Sequence, residues 1–118
     1  MNSKKKITLI WPSNPGFAMA MPISLAYLIG NLDQRKYQAD VIDGVLEPTD
    51  HQQIVKRISR FKPMVVGISA WSINFAESLS IAKAIKAKFP GLPIILGGPH
   101  ATCYPDSTME HTEFDFLF

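Results

Sequence analysis

The stretch Ile94-Ile95-Leu96-Gly97-Gly98-Pro99-His100-Ala101-Thr102 decides the fold. Its apolar beginning predicts a buried strand, which ends at two glycines that lead into a turn. Because glycine lacks Cβ, a ligand can approach the main chain closely at this point. Ligands of open parallel sheets bind just beyond the carboxyl ends of the strands. The stretch therefore predicts a strand that ends in a binding loop, with a tight turn that binds nothing as the simpler interpretation.

The rest of the chain alternates between strand and helix patterns. Apolar, β-branched runs predict strands over residues 7–11, 39–43, 64–69, 92–96 and 114–118. Helices are predicted after Pro22, Asp50 and Asn74, and a short one over about residues 105–111. This alternation predicts an α/β fold with a doubly wound, five-stranded parallel sheet in the flavodoxin-like or Rossmann-like order 2-1-3-4-5, with helices on both faces.

Length and composition indicate one globular domain. The 118 residues are 47% hydrophobic and 19% charged, and the formal net charge is +2. The basic run Lys4-Lys5-Lys6 lies in residues 1–6, which we interpret as a solvated tail rather than a nucleic-acid arm. No apolar stretch reaches the about 20 residues of a membrane span, and residues 7–11 are too short for a signal-peptide core. We therefore expect a cytoplasmic protein without nucleic-acid or membrane partners.

The single cysteine and the last residues limit the interpretation further. Cys103 alone excludes an intramolecular disulfide and a cluster held by several thiolates of this chain. Residues 114–118 resemble a strand that stops in mid-course. We therefore expect the one domain over residues 1–118 to be a fragment of a longer chain.

Three loops are expected to meet at the carboxyl edge of the sheet, because strands one, three and four are neighbours in this order. They cover residues 12–21, 69–73 and 97–102, and none contains a lysine or arginine to clamp phosphates. Neither a P-loop nor a G-x-G-x-x-G pattern occurs there. Their composition favours a large flat ligand with an attached tail. The candidate binding residues are Pro12, Ser13, Asn14, Ser69, Ala70, Trp71, Ser72, Gly97, Gly98, Pro99, His100 and Ala101.

Other kinds of site are disfavoured. His51, His100 and His111 are scattered along the chain rather than placed at metal-ligand spacing. Cys103 and His100 could form a nucleophilic pair, but no third group that would orient them is visible. We therefore predict no catalytic and no metal-ligating residue. Two simpler interpretations stay open, in which Trp71 covers the end of the sheet and His100 is a hydrogen-bonded turn residue.

Four segments carry a resemblance to a known family. They are residues 7–12, 63–69 and 81–86, and above all Gly97-Gly98-Pro99-His100-Ala101-Thr102 with Pro105-Asp106. Together they resemble the N-terminal cobalamin (vitamin B12)-binding domain of B12-dependent radical SAM enzymes, the group that includes the anaerobic Mg-protoporphyrin monomethyl ester cyclase. The resemblance covers essentially the whole chain.

The resemblance implies a Rossmann-like domain that holds the corrin at the strand ends and the nucleotide tail in a slot beside the sheet. It implies that Ser69 and the Ala70-Trp71-Ser72 loop line the tail pocket. It also implies that Gly97 and Gly98 pack against the ribose and phosphate of the tail. Pro99, His100 and Ala101 would complete that wall, and residues 12–21 would lie under the corrin.

Two departures from related patterns matter. No histidine or aspartate lies between Trp11 and Pro22, where B12 mutases carry the D-x-H-x-x-G motif whose histidine ligates cobalt. The resemblance therefore implies base-off cobalamin without a histidine ligand from this domain. The C-x-x-x-C-x-x-C motif for an iron–sulfur cluster is also missing. S-adenosylmethionine and the 4Fe-4S cluster would then belong to a downstream radical SAM domain of the parent protein, absent from this chain.

The expected function follows from the resemblance. The parent enzyme would transfer methyl groups or modify a tetrapyrrole-type substrate, and this chain would hold the cobalamin for it. Two alternatives stay open, namely a cofactor-free structural or interaction domain of the same fold, and a flavin-type binder.

Overall fold

The computed structural model describes residues 3–13, 23–44 and 50–118. Strands and helices alternate through these residues, with a 3₁₀ turn at Ser72–Asn74 before the third helix. The elements are β1 (Lys5–Trp11), α1 (Ile23–Gly30), β2 (Tyr37–Asp43), α2 (His51–Phe61), β3 (Val65–Ser69), α3 (Phe75–Lys88), β4 (Ile94–Gly97), α4 (Pro99–Cys103), α5 (Pro105–Met109) and β5 (Phe116–Leu117).

The five strands form one parallel sheet in the order β2-β1-β3-β4-β5. This confirms the predicted 2-1-3-4-5 order. Leu9 of β1 pairs with Gly67 of β3, and Ser69 at the end of β3 pairs with Gly97 at the end of β4. The carboxyl ends of β1, β3 and β4 therefore lie side by side.

One face of the sheet carries the main core. Side chains alternate between the two faces of a strand, so every second residue points to this side. Helices α2 and α3 cover it with the buried side chains of Ile54, Ile58, Ile81 and Ile85. The strand residues buried beneath them are Ile10, Ile42, Val66, Ile68, Ile94 and Leu96.

The opposite face carries a smaller core over β1 and β2. Leu25 of α1 packs with Leu9 and Trp11 of β1, and Ile29 and Val41 lie against this cluster. Helix α1 therefore rests on the β1 and β2 side of this face.

The N-terminal basic segment differs from the expectation. We predicted a solvated tail over residues 1–6, but β1 begins at Lys5, so Lys5 and Lys6 belong to the strand. The main-chain N–H of Lys5 donates to the Lys36 carbonyl at 2.8 Å, which extends the β1–β2 pairing. The Lys6 Nζ lies 5.3 Å from the centre of the Phe61 ring, within cation–π range.

The helix starts also differ in detail. Asp50 caps α2 as predicted, because its carboxylate accepts from the Gln53 N–H at 2.7 Å. Asn74 precedes α3, but its side chain makes no capping hydrogen bond to that helix. Its Oδ1 instead accepts from the Trp71 N–H at 2.8 Å. The asparagine therefore stabilises the 3₁₀ turn, which the sequence pattern did not predict.

The turn predicted over residues 97–102 is mostly helix. Helix α4 starts at Pro99, directly after Gly98, where a proline fits because its missing N–H needs no partner. The short helix expected over residues 105–111 is α5, Pro105–Met109.

Candidate functional site

A groove of about 570 Å³ opens on the α1 side of the sheet. That volume lies within the range of about 300–1,000 Å³ typical of small-molecule sites. Its floor comes from β1, β3 and β4, one wall comes from α1, and Phe118 stands at the other side. The lining residues are Ile7, Leu9, Ser24, Leu25, Tyr27, Leu28, Asn31, Val65, Gly67, Ile68, Ser69, Ile95, Gly97, Gly98 and Phe118.

Gly98 shapes the end of this groove that lies at the carboxyl ends of β3 and β4, which we call its upper end. Its φ of 100° and ψ of 179° belong to a region that essentially only glycine adopts. A Cβ at this position would lie 2.7 Å from the Ala70 carbonyl oxygen and 3.1 Å from Ser69 Oγ. The bare backbone of Gly98 thus lets the loops after β3 and β4 pack directly against each other.

Two main-chain hydrogen bonds hold these loops together. The Ala70 N–H donates to the Gly97 carbonyl at 2.9 Å, and the His100 N–H donates to the Ala70 carbonyl at 3.1 Å. A side chain at Gly98 would force this junction apart. Gly98 is therefore required by the packing of these loops, in addition to any contact with a ligand.

Ser69 is the buried polar side chain of the groove. The residue is 8% exposed, it lines the groove, and its neighbours on the floor are apolar. Among the described residues its hydroxyl makes no hydrogen bond, and the fully buried side-chain atom without a partner there is Thr8 Oγ1 rather than Ser69 Oγ. The Ser69 hydroxyl is therefore open to the groove, where it can bind a ligand atom.

The loop after β1 is anchored at its start. Pro12 is fully buried and Ser13 is partly buried. The Gly44 N–H donates to the Trp11 carbonyl at 2.7 Å, and a Cβ on Gly44 would lie 2.8 Å from the Ser13 nitrogen. Of the predicted site residues, Asn14 lies outside the described residues, as do residues 15–21 of the same loop.

Five of the predicted site residues divide between the two faces of the sheet. Ser69, Gly97 and Gly98 line the groove. Ala70 and Ala101 are buried in the core on the opposite face of the sheet. Since neighbouring residues on a strand point to opposite faces, the step from Ser69 to Ala70 reverses the direction of the side chain.

Trp71, Ser72, Pro99 and His100 lie outside the groove lining. Trp71 is 49% exposed, so its indole does not cover the end of the sheet. Ser72 Oγ lies 2.9 Å from His100 Nδ1, which joins the β3 loop to α4. The His100 ring stacks on Phe75 with ring centres 4.0 Å apart. This Ser72–His100 pair forms a second polar feature beside the groove. His100 is hydrogen-bonded, as the simpler interpretation held, but it lies in α4 rather than in a turn.

The His100 environment makes the fold sensitive to acid. Burial, followed by the nearby charge of His111, lowers the pKa of the His100 imidazole. The imidazole therefore binds a proton more readily in the unfolded chain than in the folded one. The stability that the neutral imidazole contributes is fully present above the ordinary pKa of about 6.5, and it is lost as the pH falls through the lowered pKa. Between about pH 7.5 and about pH 5, we expect the unfolding midpoint of the native chain to fall further than that of His100→Phe. Equal decreases in thermal scans would contradict this.

Sequence reasoning missed the floor and wall of the groove. Gly67, Val65 and Ile95 form the middle of the floor, and Leu28 of α1 lies on the wall. Gly67 was detectable, because a glycine inside a β-branched run often marks a close approach by a ligand or another backbone.

Two further observations concern the described residues. Within residues 3–13, 23–44 and 50–118, no three His, Cys, Asp or Glu side chains come together as a metal site. No helix in the same ranges has the length and apolar character required to cross a bilayer.

The fold and the groove define an open α/β domain that can hold a ligand beyond the carboxyl ends of its parallel strands. A family model described as the B12 binding domain matches residues 19–118. The chain belongs to the B12-binding domain family, which confirms the resemblance inferred from the glycine-rich motif.

Two curated relatives are similar over part of the chain. An uncharacterized methyltransferase of Pyrococcus horikoshii is 33% identical over 88 residues, which is 75% of this chain and 19% of the relative. The cobalamin-dependent radical SAM methyltransferase TokK of Streptomyces tokunonensis is 32% identical over 57 residues, 48% of this chain and 8% of the relative. The chain thus spans less than a fifth of the length of the curated relatives it matches.

Solved structures share the fold. The radical S-adenosylmethionine methyltransferase TsrM of Kitasatospora setae, with tryptophan and a SAM analog bound, superposes with a TM-score of 0.75 at 19% identity, over 91% of this chain and 21% of that one. A cobalamin-binding protein of Desulfitobacterium hafniense gives 0.69 at 15% identity, over 97% of this chain and 52% of that one. At these identities the likeness concerns the fold.

Proposed function

We propose that this chain binds base-off cobalamin as the cofactor domain of a radical SAM enzyme, with the nucleotide tail in the groove and the corrin at the carboxyl edge of the sheet. The observation that carries this proposal is the juxtaposition of Ser69, Gly97 and Gly98 at the upper end of an apolar groove. Membership in the B12-binding domain family supports it.

The described residues fit such a group. The floor of the groove is apolar except for the Ser69 hydroxyl, and a Cβ added at Gly97 would approach only Phe118, at 3.8 Å, so the bare backbone leaves room there. Apolar burial favours a flat aromatic base, and a hydroxyl without a partner favours one hydrogen-bonding atom on that base. Ser69, Gly97 and Gly98 would hold the tail, and Pro12 with Ser13 would begin the loop under the corrin.

The absence of histidine between Trp11 and Pro22 supports base-off binding without a histidine ligand from this loop. When bound, cobalamin supplies a cobalt centre that can carry a methyl group. The chain's own residues bind and orient the cofactor, and we assign none of them a catalytic role. The similarity to methyltransferases favours methyl transfer over tetrapyrrole-type modification as the reaction of the parent protein. We place that protein in the cytoplasm, with S-adenosylmethionine and a 4Fe-4S cluster bound by a separate radical SAM domain.

Titration of the purified chain with hydroxocobalamin tests this function. We expect a saturable change in the visible spectrum that ends near one cofactor per chain. A chain whose circular dichroism shows a folded α/β domain but whose spectrum never changes would favour the cofactor-free alternative. A yellow protein that releases a flavin on denaturation would favour the flavin-type binder.

A further inference from the structure

The two edges of the sheet differ in length. At one edge β5 has two residues, whereas at the other edge β2 runs over seven residues, Tyr37–Asp43. Among the described residues, β2 pairs with β1 alone. The outer row of main-chain N–H and C=O groups on an edge strand is a template for a further strand, and a very short strand offers little of it. The β2 edge is therefore the one at which another strand could add.

The hydrogen bonds to β1 show which residues of β2 face outward. The Lys36 carbonyl accepts from an N–H of β1 at 2.8 Å, and the Gly44 N–H donates to a carbonyl of β1 at 2.7 Å. In a parallel pair, every second residue of a strand directs its main-chain groups to the same neighbour. The even-numbered residues from Lys36 to Gly44 therefore face β1. The main-chain groups of Ala39 and Val41 point away from it.

Arg57 of α2 occupies this outer row. Its Nε and Nη2 donate to the two carboxylate oxygens of Asp40 at 2.8 and 2.6 Å, and Nη2 also donates to the Val41 carbonyl at 3.0 Å. A bidentate pair of this kind fixes the orientation of the planar guanidinium. Both side chains are partly buried, so solvent screens the pair less than it screens a fully exposed one. An outward carbonyl of β2 is thus held by a charged side chain of the same chain.

From this arrangement we infer that the β2 edge is a strand-pairing surface for a second copy of this chain, and that Arg57 keeps it closed. Two copies could join β2 to β2 in antiparallel fashion about a twofold axis, which would continue one sheet into the other. The guanidinium takes the Val41 carbonyl that this pairing requires, and it fills the space through which the second strand would approach. The inference does not depend on the proposed binding of cobalamin.

The double variant Asp40→Asn/Arg57→Met tests the inference. It removes the ion pair and the bond to Val41 while the net charge stays that of the native chain. We expect it to dimerise at protein concentrations at least about tenfold below those at which the native chain does, because each copy regains an outward hydrogen-bonding group. Sedimentation velocity over a concentration series measures this. The matched control is Asp33→Asn/Arg35→Met, which removes an exposed ion pair of the same type and should sediment as the native chain does.

Two further variants separate edge pairing from a loss of stability. Proline at Ala39 removes an outward N–H and leaves the bonds to β1, so adding Ala39→Pro to the double variant should restore the native behaviour. Ile81→Val removes a methyl group from the main core and should not promote association. Should the double variant not fold, Arg57→Gln carries the same expectation.

Three results would overturn the inference. They are a folded double variant that sediments as the native chain does, association that persists after Ala39→Pro is added, and equal association of Ile81→Val.

Discussion

Replacing Gly98 by alanine is expected to lower the free energy of unfolding by about 1–3 kcal/mol, because its φ of 100° is strained for any residue with a Cβ. It is also expected to weaken cobalamin binding at least about tenfold, since the loops carrying Ser69 and Gly98 must separate. The new Cβ would lie 2.7 Å from the Ala70 carbonyl oxygen, and a backbone atom cannot rotate away as the end of a side chain can. Urea unfolding and spectral titration measure the two effects.

Gly91→Ala is the matched control for this substitution. Apart from its two chain neighbours, Gly91 has no described residue within 4 Å of an added Cβ, and its φ is not positive. The same chemical change there should leave affinity unaltered and stability within about 0.5 kcal/mol of the native value. If Gly98→Ala behaves like Gly91→Ala in both measurements, the glycine junction is not what shapes the binding site.

The fold was predictable because its signals are local. Each signal depends on residues that are close together in the sequence. Examples are the capping aspartate Asp50, the apolar run that ends at Gly97, and the regular alternation of strand and helix patterns. The sheet order follows from that alternation and from the handedness of crossover connections. The predicted strands lie within two residues of the observed ones at each end, and the shortest of them, β5, covers Phe116–Leu117 rather than residues 114–118.

The site was predictable only at the strand ends. Ser69, Gly97 and Gly98 could be found because ligands of parallel sheets bind beyond those ends. Ala70 and Ala101 are buried in the opposite core. Ala70 follows Ser69 at the end of β3, where a shift of one residue changes the face, and Ala101 lies in helix α4, which the sequence did not predict. The middle of the groove depends on how far α1 extends over the sheet, which is set by packing between distant segments. Ile95 therefore could not be found from the sequence, whereas Gly67 gave a local signal, as a glycine inside a β-branched run, that was not used.

Gly67 provides the second large expected effect. It lies in the middle of β3 on the floor of the groove, and its pairing partner on β4 is Ile95. A leucine at this position would fill the space that we assign to the nucleotide base. Its Cβ would lie 2.9 Å from Leu9 Cδ2, the flexible end of a side chain, so the neighbour can move and the strand can be kept. Glycine weakens a strand interior, so the substitution is compatible with β structure.

The cobalamin affinity of Gly67→Leu should fall roughly 10- to 150-fold, which corresponds to the about 1.5–3 kcal/mol contributed by burying an aromatic-sized group. Cobinamide has no base, so its affinity should be unchanged, and Gly91→Leu should bind both ligands as the native chain does. The comparison between the two ligands within one variant separates a blocked groove from a damaged fold, because damage would weaken both. Undiminished cobalamin binding by a folded Gly67→Leu would mean that the tail lies elsewhere and that the groove has another occupant.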